Sequence, residues 1–364
     1  MKQYDIKELG FIPPKYGGVS VSIARLIKQL TADGLIVGGF YTAENKDKDI
    51  LQSELFDPEL NFSKKSLIPN LLNSFKVLRP YRLLHSHYSL EHMFYIWCFL
   101  HFLKKKVVIT VHNSMVYSFY SDCSVVNRFF LKKVANHCNV TWVAVSDQAK
   151  DEMLRLPVSF RQPIHVIPAY IPDIQVEPDS LQPSLIEYMS NHKRNIVFYG
   201  HSFMSHEGKD VYGFKDALFL YAKVLEESND SIGLIFCLTD NRDTTKIGEL
   251  YQLAKDLHIN DRVYWQLAPI NNMNAIWQKT DVYIRPTCTD GDSLAVREAL
   301  DMGVHVVASD VCARPYGTIL YKFGNIDELA EKVHDCLAMG KGNISPNFSC
   351  YLALKDIYLK LLNK

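Results

Sequence analysis

The sequence predicts an α/β protein of two doubly wound parallel-sheet domains joined by a linker, and three observations carry that expectation. Its 364 residues, 48% of them hydrophobic, exceed one ordinary core and suit two. Short β-branched runs alternate with longer amphipathic stretches from end to end, the pattern of parallel strands crossed over by helices. One stretch breaks the alternation with prolines and acids: "PDIQVEPDSLQPSLIEYMSNHKR", Pro172 to Arg194. The expected layout is a first domain at 1–172, a linker at 173–193 and a second domain at 194–349.

In the first domain the helix "VSVSIARLIKQLTADG" ends at Gly34, placed just past its last turn as a stop signal. Strands are expected at "LIVGGFY", "RLLHSH", "VVITVHN", "VTWVAVSD" and "IHVIP", with helices between them. The second series runs "NIVFYG", "IGLIFCL", "RVYWQL", "DVYIRP", "VHVVASD" and "GTILYKF", and includes the glycine-capped helix "IDELAEKVHDCLAMGKG". The chain closes on an amphipathic helix, "CYLALKDIYLKLLNK", able to pack on either domain. In open sheets of this kind ligands bind beyond the carboxyl ends of the strands, so the active site is expected in a cleft between the domains.

Bulk properties remove several functions. Forty Lys plus Arg balance forty Asp plus Glu, so no global field draws the chain to nucleic acid or an anionic membrane, and any anion site must be local. The eight cysteines are scattered, without a Cys-x-x-Cys or a zinc spacing, which fits a reducing cytoplasm. "MKQYDIKELGF" has acids where a signal peptide needs an apolar core. "HMFYIWCFLHFL", His92 to Leu103, is shorter than the roughly 20 residues that span a bilayer. Followed by Lys104, Lys105 and Lys106, it reads either as a buried helix leading into "VVITV" or as a stretch resting on a membrane surface.

Three loops carry chemistry. In "GFIPPKYGGVSVSIARL", Gly17 and Gly18 precede a helix, where a bare backbone and free N–H groups can approach an anion. In "TVHNS", His112 and Asn113 end a strand, so the imidazole faces the cleft and can donate a hydrogen bond or take a proton. His85 and His87 share one side of "LLHSHYS" as a metal pair would, but no third ligand is evident and no metal site is expected.

The third loop is "RPTCTDGDSLAVREALDMGVHVVASD", Arg285 to Asp310. "TCTDGD" is a loop and "SLAVREALDMG" a helix closed by Gly303, with Ser293 or Asp292 as its cap. Free N–H groups and the helix dipole at its start suit a diphosphate. Asp290 before the helix and Glu298 in its second turn can accept hydroxyl hydrogen bonds at both ends of such a ligand, and a sugar nucleotide has that layout. The alternative pairing, Asp290-x-Asp292, would instead hold a metal.

These features resemble the family 4 glycosyltransferases, retaining enzymes of the GT-B fold with two facing Rossmann-like domains. Their signature has two glutamates separated by seven residues, the second followed by Ala-x-x-x-Gly-x-Pro-Val-x-x-Ser. Here Asp290 takes the first acid position, Glu298 the second, and Ala299, Gly303 and Ser309 follow in register. The resemblance implies that Glu298 binds the donor ribose, Asp290 the donor sugar, and Gly291 with the N–H groups of Ser293 and Leu294 the diphosphate. It matches Gly17 and Gly18 to the glycine pair near the donor phosphate and His112 to the histidine of the acceptor face, and it places Cys350 to Lys364 back on the first domain.

The match is incomplete. Asp290 is one methylene shorter than the usual glutamate, and Asp292 brings a charge close to the phosphate site. The family's Arg and Lys pair reads "YGHSFMSHEGKDVYGFKDAL", with His201 in place of arginine, Lys209 as the expected cation and Lys215 as its reserve; Arg314 is a further candidate. The implied activity is metal-free, cofactor-free transfer of a sugar from a nucleoside diphosphate to a glycan or lipid-linked acceptor with retention. Its setting would be bacterial surface polysaccharide synthesis, in the cytoplasm or peripherally at the inner membrane face. A same-fold nucleotide-sugar epimerase and a non-catalytic donor-binding partner are the alternatives.

Overall fold

The computed structural model describes residues 3–11, 18–41, 55–58, 67–87, 90–112, 116–176, 181–228, 231–268, 270 and 273–363. Two compact units result, Met1–Ile171 with Phe348–Lys364, and Pro172–Asn347.

The first unit is a seven-stranded sheet in the order β3-β2-β1-β4-β5-β6-β7, parallel throughout. Its strands are β1 Tyr4–Phe11, β2 Val37–Tyr41, β3 Phe56–Pro58, β4 Tyr81–His87, β5 Lys106–Val111, β6 Val140–Ala144 and β7 Ile164–Val166. Helices α1 Gly18–Ala32, α2 Leu67–Leu78, α3 Met93–Phe102, α4 Val116–Asp122, α5 Val125–Ala135 and α6 Asp147–Leu154 intervene.

The sequence reading missed β1. Its alternation is real, but Asp5, Lys7 and Glu8 are buried in a central strand, where apolar residues are the rule. Each has a partner: Lys7 Nζ pairs with Asp57 at 2.6 Å, and the Asp5 carboxylate accepts from the Ile36 N–H at 2.9 Å. "HMFYIWCFLHFL" forms α3, whose Met93, Tyr95, Ile96, Cys98, Phe99 and Leu100 are buried, so it is the core helix of the two readings. Lys105 and Lys106 likewise turn inward, donating to Arg79 O at 2.8 Å and Leu361 O at 2.6 Å.

The second unit is a six-stranded parallel sheet, β12-β11-β8-β13-β14-β15, with a separate hairpin β9-β10. The strands are β8 Arg194–Gly200, β9 Ser205–His206, β10 Lys209–Asp210, β11 Ile232–Leu238, β12 Val263–Gln266, β13 Val282–Arg285, β14 His305–Ser309 and β15 Ile319–Tyr321. Its helices are α7 Pro183–Ser190, α8 Phe214–Glu227, α9 Thr244–Asp256, α10 Met273–Trp277, α11 Leu294–Asp301 and α12 Ile326–Met339. Helix α7 lies within the stretch expected as linker, yet Leu185 and Met189 are buried against Val197, Ile235 and Trp277. Prolines mark its start rather than a break, since Pro183 sits at the first helical turn, where it lacks nothing the helix needs.

The closing helix α13, Ser349–Leu362, belongs to the first unit. Tyr351, Ile357, Tyr358 and Leu362 pack with Ile23, Leu26 and Ile27 of α1 and with Leu83 and Val108 of the sheet. Lys355 Nζ pairs with Asp33 at 2.6 Å, and Arg82 donates to Leu362 O.

In both sheets the strand order reverses beside the first strand of the series, between β1 and β4 and between β8 and β13. Such switch points open crevices at the carboxyl ends of the strands, and the predicted site residues follow them.

Candidate functional site

In the second unit β13 ends at Arg285, which is 7% exposed. Its guanidinium grips Asp290 with both prongs, Nε to Oδ2 at 2.9 Å and Nη2 to Oδ1 at 3.0 Å. Nη1 reaches Tyr199 O at the end of β8, 3.3 Å away. Arg314, beyond β14, donates to the same carboxylate and also to Thr287 Oγ1 at 2.9 Å and Ser309 O at 3.2 Å. The Gly291 N–H adds a further bond to Asp290 Oδ1 at 3.0 Å. Burial alone would raise the Asp290 carboxyl, but Arg285 and then Arg314 outweigh it and hold it below the usual aspartate value. Asp290 therefore pairs with and orients two buried guanidinium groups, and both its oxygens are engaged.

The expected cap differs. Ser293 is the N-cap residue of α11, but its side chain makes no capping bond. Asp292 turns to Arg297 Nε at 2.7 Å, so its charge is balanced within the loop; burial pushes its carboxyl up and Arg297 works against that. Arg297 is the missing partner: an arginine five residues after an aspartate, folded back over the helix start. Glu298 stands in the second turn of α11, partly exposed and near the half-buried Tyr199 hydroxyl. Gly303 ends the helix at φ +74, where a Cβ would lie 2.3 Å from Gly342 O, and this close approach explains the signature's glycine.

Lys209 lies on the hairpin, whose turn residues Glu207 and Gly208 have φ of 51 and 76. It is exposed, 5.4 Å from the Phe323 ring centre. The Cys288 N–H bonds Val211 O at 3.1 Å, tying the segment after the hairpin to the loop after β13. Asp210 then holds the Phe214 N–H at 2.7 Å at the start of α8. Gly213 precedes that helix at φ +73, and Pro286 O lies only 2.4 Å from where a Cβ would stand. His201 is exposed at the end of β8, its carbonyl accepting from the Asp240 N–H at 2.7 Å. Lys215 is exposed in the first turn of α8. Arg314, by contrast, is turned inward, its side chain 2% exposed, and serves Asp290 rather than open space.

In the first unit His112 follows β5. Its Nε2 lies 2.7 Å from His87 Nδ1, and His87 Nε2 lies 3.1 Å from Glu8 Oε2. His85 Nδ1 approaches the same oxygen at 2.7 Å and the Tyr358 hydroxyl at 2.8 Å, while its Nε2 meets Thr110 Oγ1 at 2.8 Å. Register explains the cluster: Glu8 pairs directly with His85 across β1 and β4, and His87 is two residues along the same face. Burial works to raise the Glu8 carboxyl, but His85 and His87 more than offset it, holding it near 2. Burial, followed by the neighbouring rings of His87 and His85, drives His112 down to about 2, so it stays neutral at physiological pH.

Donor atoms of Glu8, His85 and His87 lie within 4.8 Å of one another, a spacing that could hold a metal ion and that the sequence did not reveal. The same three side chains are also hydrogen-bonded among themselves. A cavity of about 20 Å³, room for one water, adjoins them, lined by Ser22, Thr110, His112, Ala169 and Tyr351. Gly18 begins α1 and is exposed; Gly17 and Asn113 lie outside the described residues.

Comparisons with known proteins bear on the family and the fold. Residues 16–172 match the model of Glycosyltransferase Family 4, and residues 194–339 match that of Glycosyl transferases group 1. No curated protein matches the chain in sequence. Among solved structures, Anabaena HepE in complex with UDP and glucose is 15% identical with a TM-score of 0.66, covering 100% of both chains. A Rickettsia africae glycosyltransferase is 15% identical, TM-score 0.67, also over 100% of both chains. A Listeria monocytogenes protein described as a putative UDP-N-acetylglucosamine 2-epimerase is 14% identical, TM-score 0.62, over 100% of this chain and 98% of that one. At such identities the structures establish a shared fold. With both halves matched by family models and the signature acids set at the second sheet's switch point, the chain belongs to the family 4 glycosyltransferases of the GT-B fold.

Proposed function

We propose that this enzyme moves a sugar from a nucleoside diphosphate to a hydroxyl of a glycan or lipid-linked acceptor, with retention of configuration. The observation that carries the reading is the arginine-clamped Asp290 ahead of the uncapped α11, with Glu298 one turn further along. An uncapped helix start offers N–H groups and a dipole to a diphosphate, and Glu298 accepts the ribose hydroxyls. Asp290, whose two oxygens accept four hydrogen bonds from Arg285, Arg314 and the Gly291 N–H, acts on the donor sugar indirectly, by setting the arginine pair and the loop beneath it. Lys209 is the exposed cation that neutralises the leaving group; Arg314 supports the floor instead.

In the transfer step the acceptor oxygen forms a bond to the anomeric carbon as the bond from that carbon to the diphosphate oxygen breaks. The acceptor's proton passes to that departing oxygen on the same face, so no protein nucleophile enters. Fixed donors lower the barrier by meeting the charge that develops on the diphosphate. The scheme assigns no metal and no cofactor. HepE, which shares the fold, binds UDP and glucose, and this supports a nucleotide-sugar donor here.

A cytoplasmic setting with peripheral contact at the inner membrane fits a lipid-linked acceptor in surface polysaccharide synthesis. Among the described residues no helix is long and apolar enough to cross a membrane. The contact belongs on α4 and α5, where Phe119, Val125, Val126 and Phe129 are 47%, 78%, 61% and 54% exposed beside Arg128, Lys132 and Lys133.

A thermal-shift screen of UDP-, GDP-, ADP- and dTDP-sugars tests the reading. At least one stabilises the wild type, and Glu298→Ala weakens its binding by about tenfold or more. A chain that none of them stabilises, or an unchanged Glu298→Ala, contradicts it. Epimerase activity, suggested by the Listeria match, would convert donor with no acceptor present.

A further inference from the structure

We infer that Glu8 and His87 order the protons along a buried chain so that His112 presents an unprotonated Nδ1, an acceptor reserved for a substrate hydroxyl. What meets His112 rests on the proposed function; the tautomer rests on geometry.

An ionised carboxylate can only accept hydrogen bonds. Glu8 is fully buried, and its Oε2 lies 3.1 Å from His87 Nε2, so the hydrogen of that contact is on His87. A neutral ring carries a single N–H, which leaves a lone pair on His87 Nδ1. The 2.7 Å contact from that atom to His112 Nε2 is then a hydrogen bond only if His112 Nε2 holds the hydrogen. His112 Nδ1 is left bare, and it has no partner among the described residues.

The opposite order needs either a proton on Glu8 or a second charge on His87. Both rings are deeply enclosed, and burial followed by the His85 ring holds the His87 pKa below its usual value. His85 shares the Glu8 oxygen and is itself held by Thr110 and by Tyr358 of α13, so the carboxylate cannot swing away from His87. Glu8 and His87 are thus positioning residues. The sequence left open whether His112 donates or accepts, and the chain decides for accepting. An acceptor nitrogen welcomes a sugar or acceptor O–H and repels a phosphate oxygen, which offers only lone pairs.

Long-range ¹H–¹⁵N spectra of the full chain labelled at histidine test the inference directly, with His87→Gln and His112→Gln used for assignment. Both rings are expected neutral and protonated at Nε2 at pH 7. In Glu8→Gln the amide can donate to His87 Nε2 and reverse the chain, so His112 shifts toward the Nδ1–H form. In the same variant kcat for transfer falls about tenfold while the donor KM stays within about twofold. A His112 that is charged, or protonated at Nδ1, in the wild type overturns the inference. So does an unchanged His112 signal in folded Glu8→Gln. A metal on Glu8, His85 and His87 would take the ring nitrogens facing Glu8 and force His87 to donate to His112, giving the Nδ1–H spectrum and the same refutation. Failure to bind any nucleotide sugar beside the expected spectrum would fault the transferase reading and leave the tautomer supported.

Discussion

The two units solve one problem with different chemistry. Beside each switch point a carboxylate gathers two nitrogen groups, Glu8 with His85 and His87 in the first, Asp290 with Arg285 and Arg314 in the second. Imidazoles can shed or shift a proton, so the first cluster is adjustable and transmits a tautomer. Guanidinium groups cannot, so the second cluster is a fixed positive floor whose charge depends on the aspartate remaining there. The first suits directing a hydroxyl; the second suits a rigid base for the loop that leads into α11.

The contrast is sharpest in what removal of each carboxylate does. Asp290→Ala strands two buried guanidinium groups with no means of discharging them, and chemical denaturation should show a loss of about 3–5 kcal/mol. Glu8→Gln, where the neutral rings can shift their hydrogens to meet the amide, should cost clearly less in the same assay. Equal losses would erase the distinction between the clusters.

Acid sharpens it further. His112 has a folded pKa far below its unfolded 6.5, so the unfolded chain binds the extra proton first and stability falls as pH drops below about 6.5. Glu8, near 2 when folded against 4.5, adds a second loss as pH falls below about 4.5 and on through its folded value. Denaturation midpoints at pH 7.5, 6.5 and 5.5 should therefore be level above neutrality and decline below it, and His112→Gln should flatten the first part of that decline.

The smallest effect is expected at the exposed cation. Lys209→Ala leaves stability within about 0.5 kcal/mol, because the side chain is exposed, yet slows transfer measurably. Loss of rate on Lys215→Ala in place of Lys209→Ala would move the neutralising charge to α8.

Much of this was legible in the sequence. Alternating apolar runs announced both sheets, and the spacing of Asp290, Glu298 and Gly303 announced the helix α11 and its loop. What stayed hidden was for the most part charges whose partners only the folded chain brings together. Strand β1 was obscured because Asp5, Lys7 and Glu8 look solvated until Ile36, Asp57 and His85 are placed beside them. Arg285 read as a strand's end and Arg314 as a free cation, although both are committed to Asp290. Asp292 looked like a cap, and its true partner Arg297 is found only by letting the long side chain fold back. The hairpin carrying Lys209 is two residues per strand, too short for periodicity to register.

Acceptor-dependent turnover of the most stabilising nucleotide sugar tests the central claim most directly, with the anomeric configuration of the product read by NMR. The account predicts that nucleoside diphosphate is released only in step with glycosylated acceptor, that the product keeps the donor's configuration, and that Glu298→Ala lowers turnover by about tenfold or more at limiting donor. Donor conversion without acceptor, an inverted product, or full turnover by Glu298→Ala would contradict it.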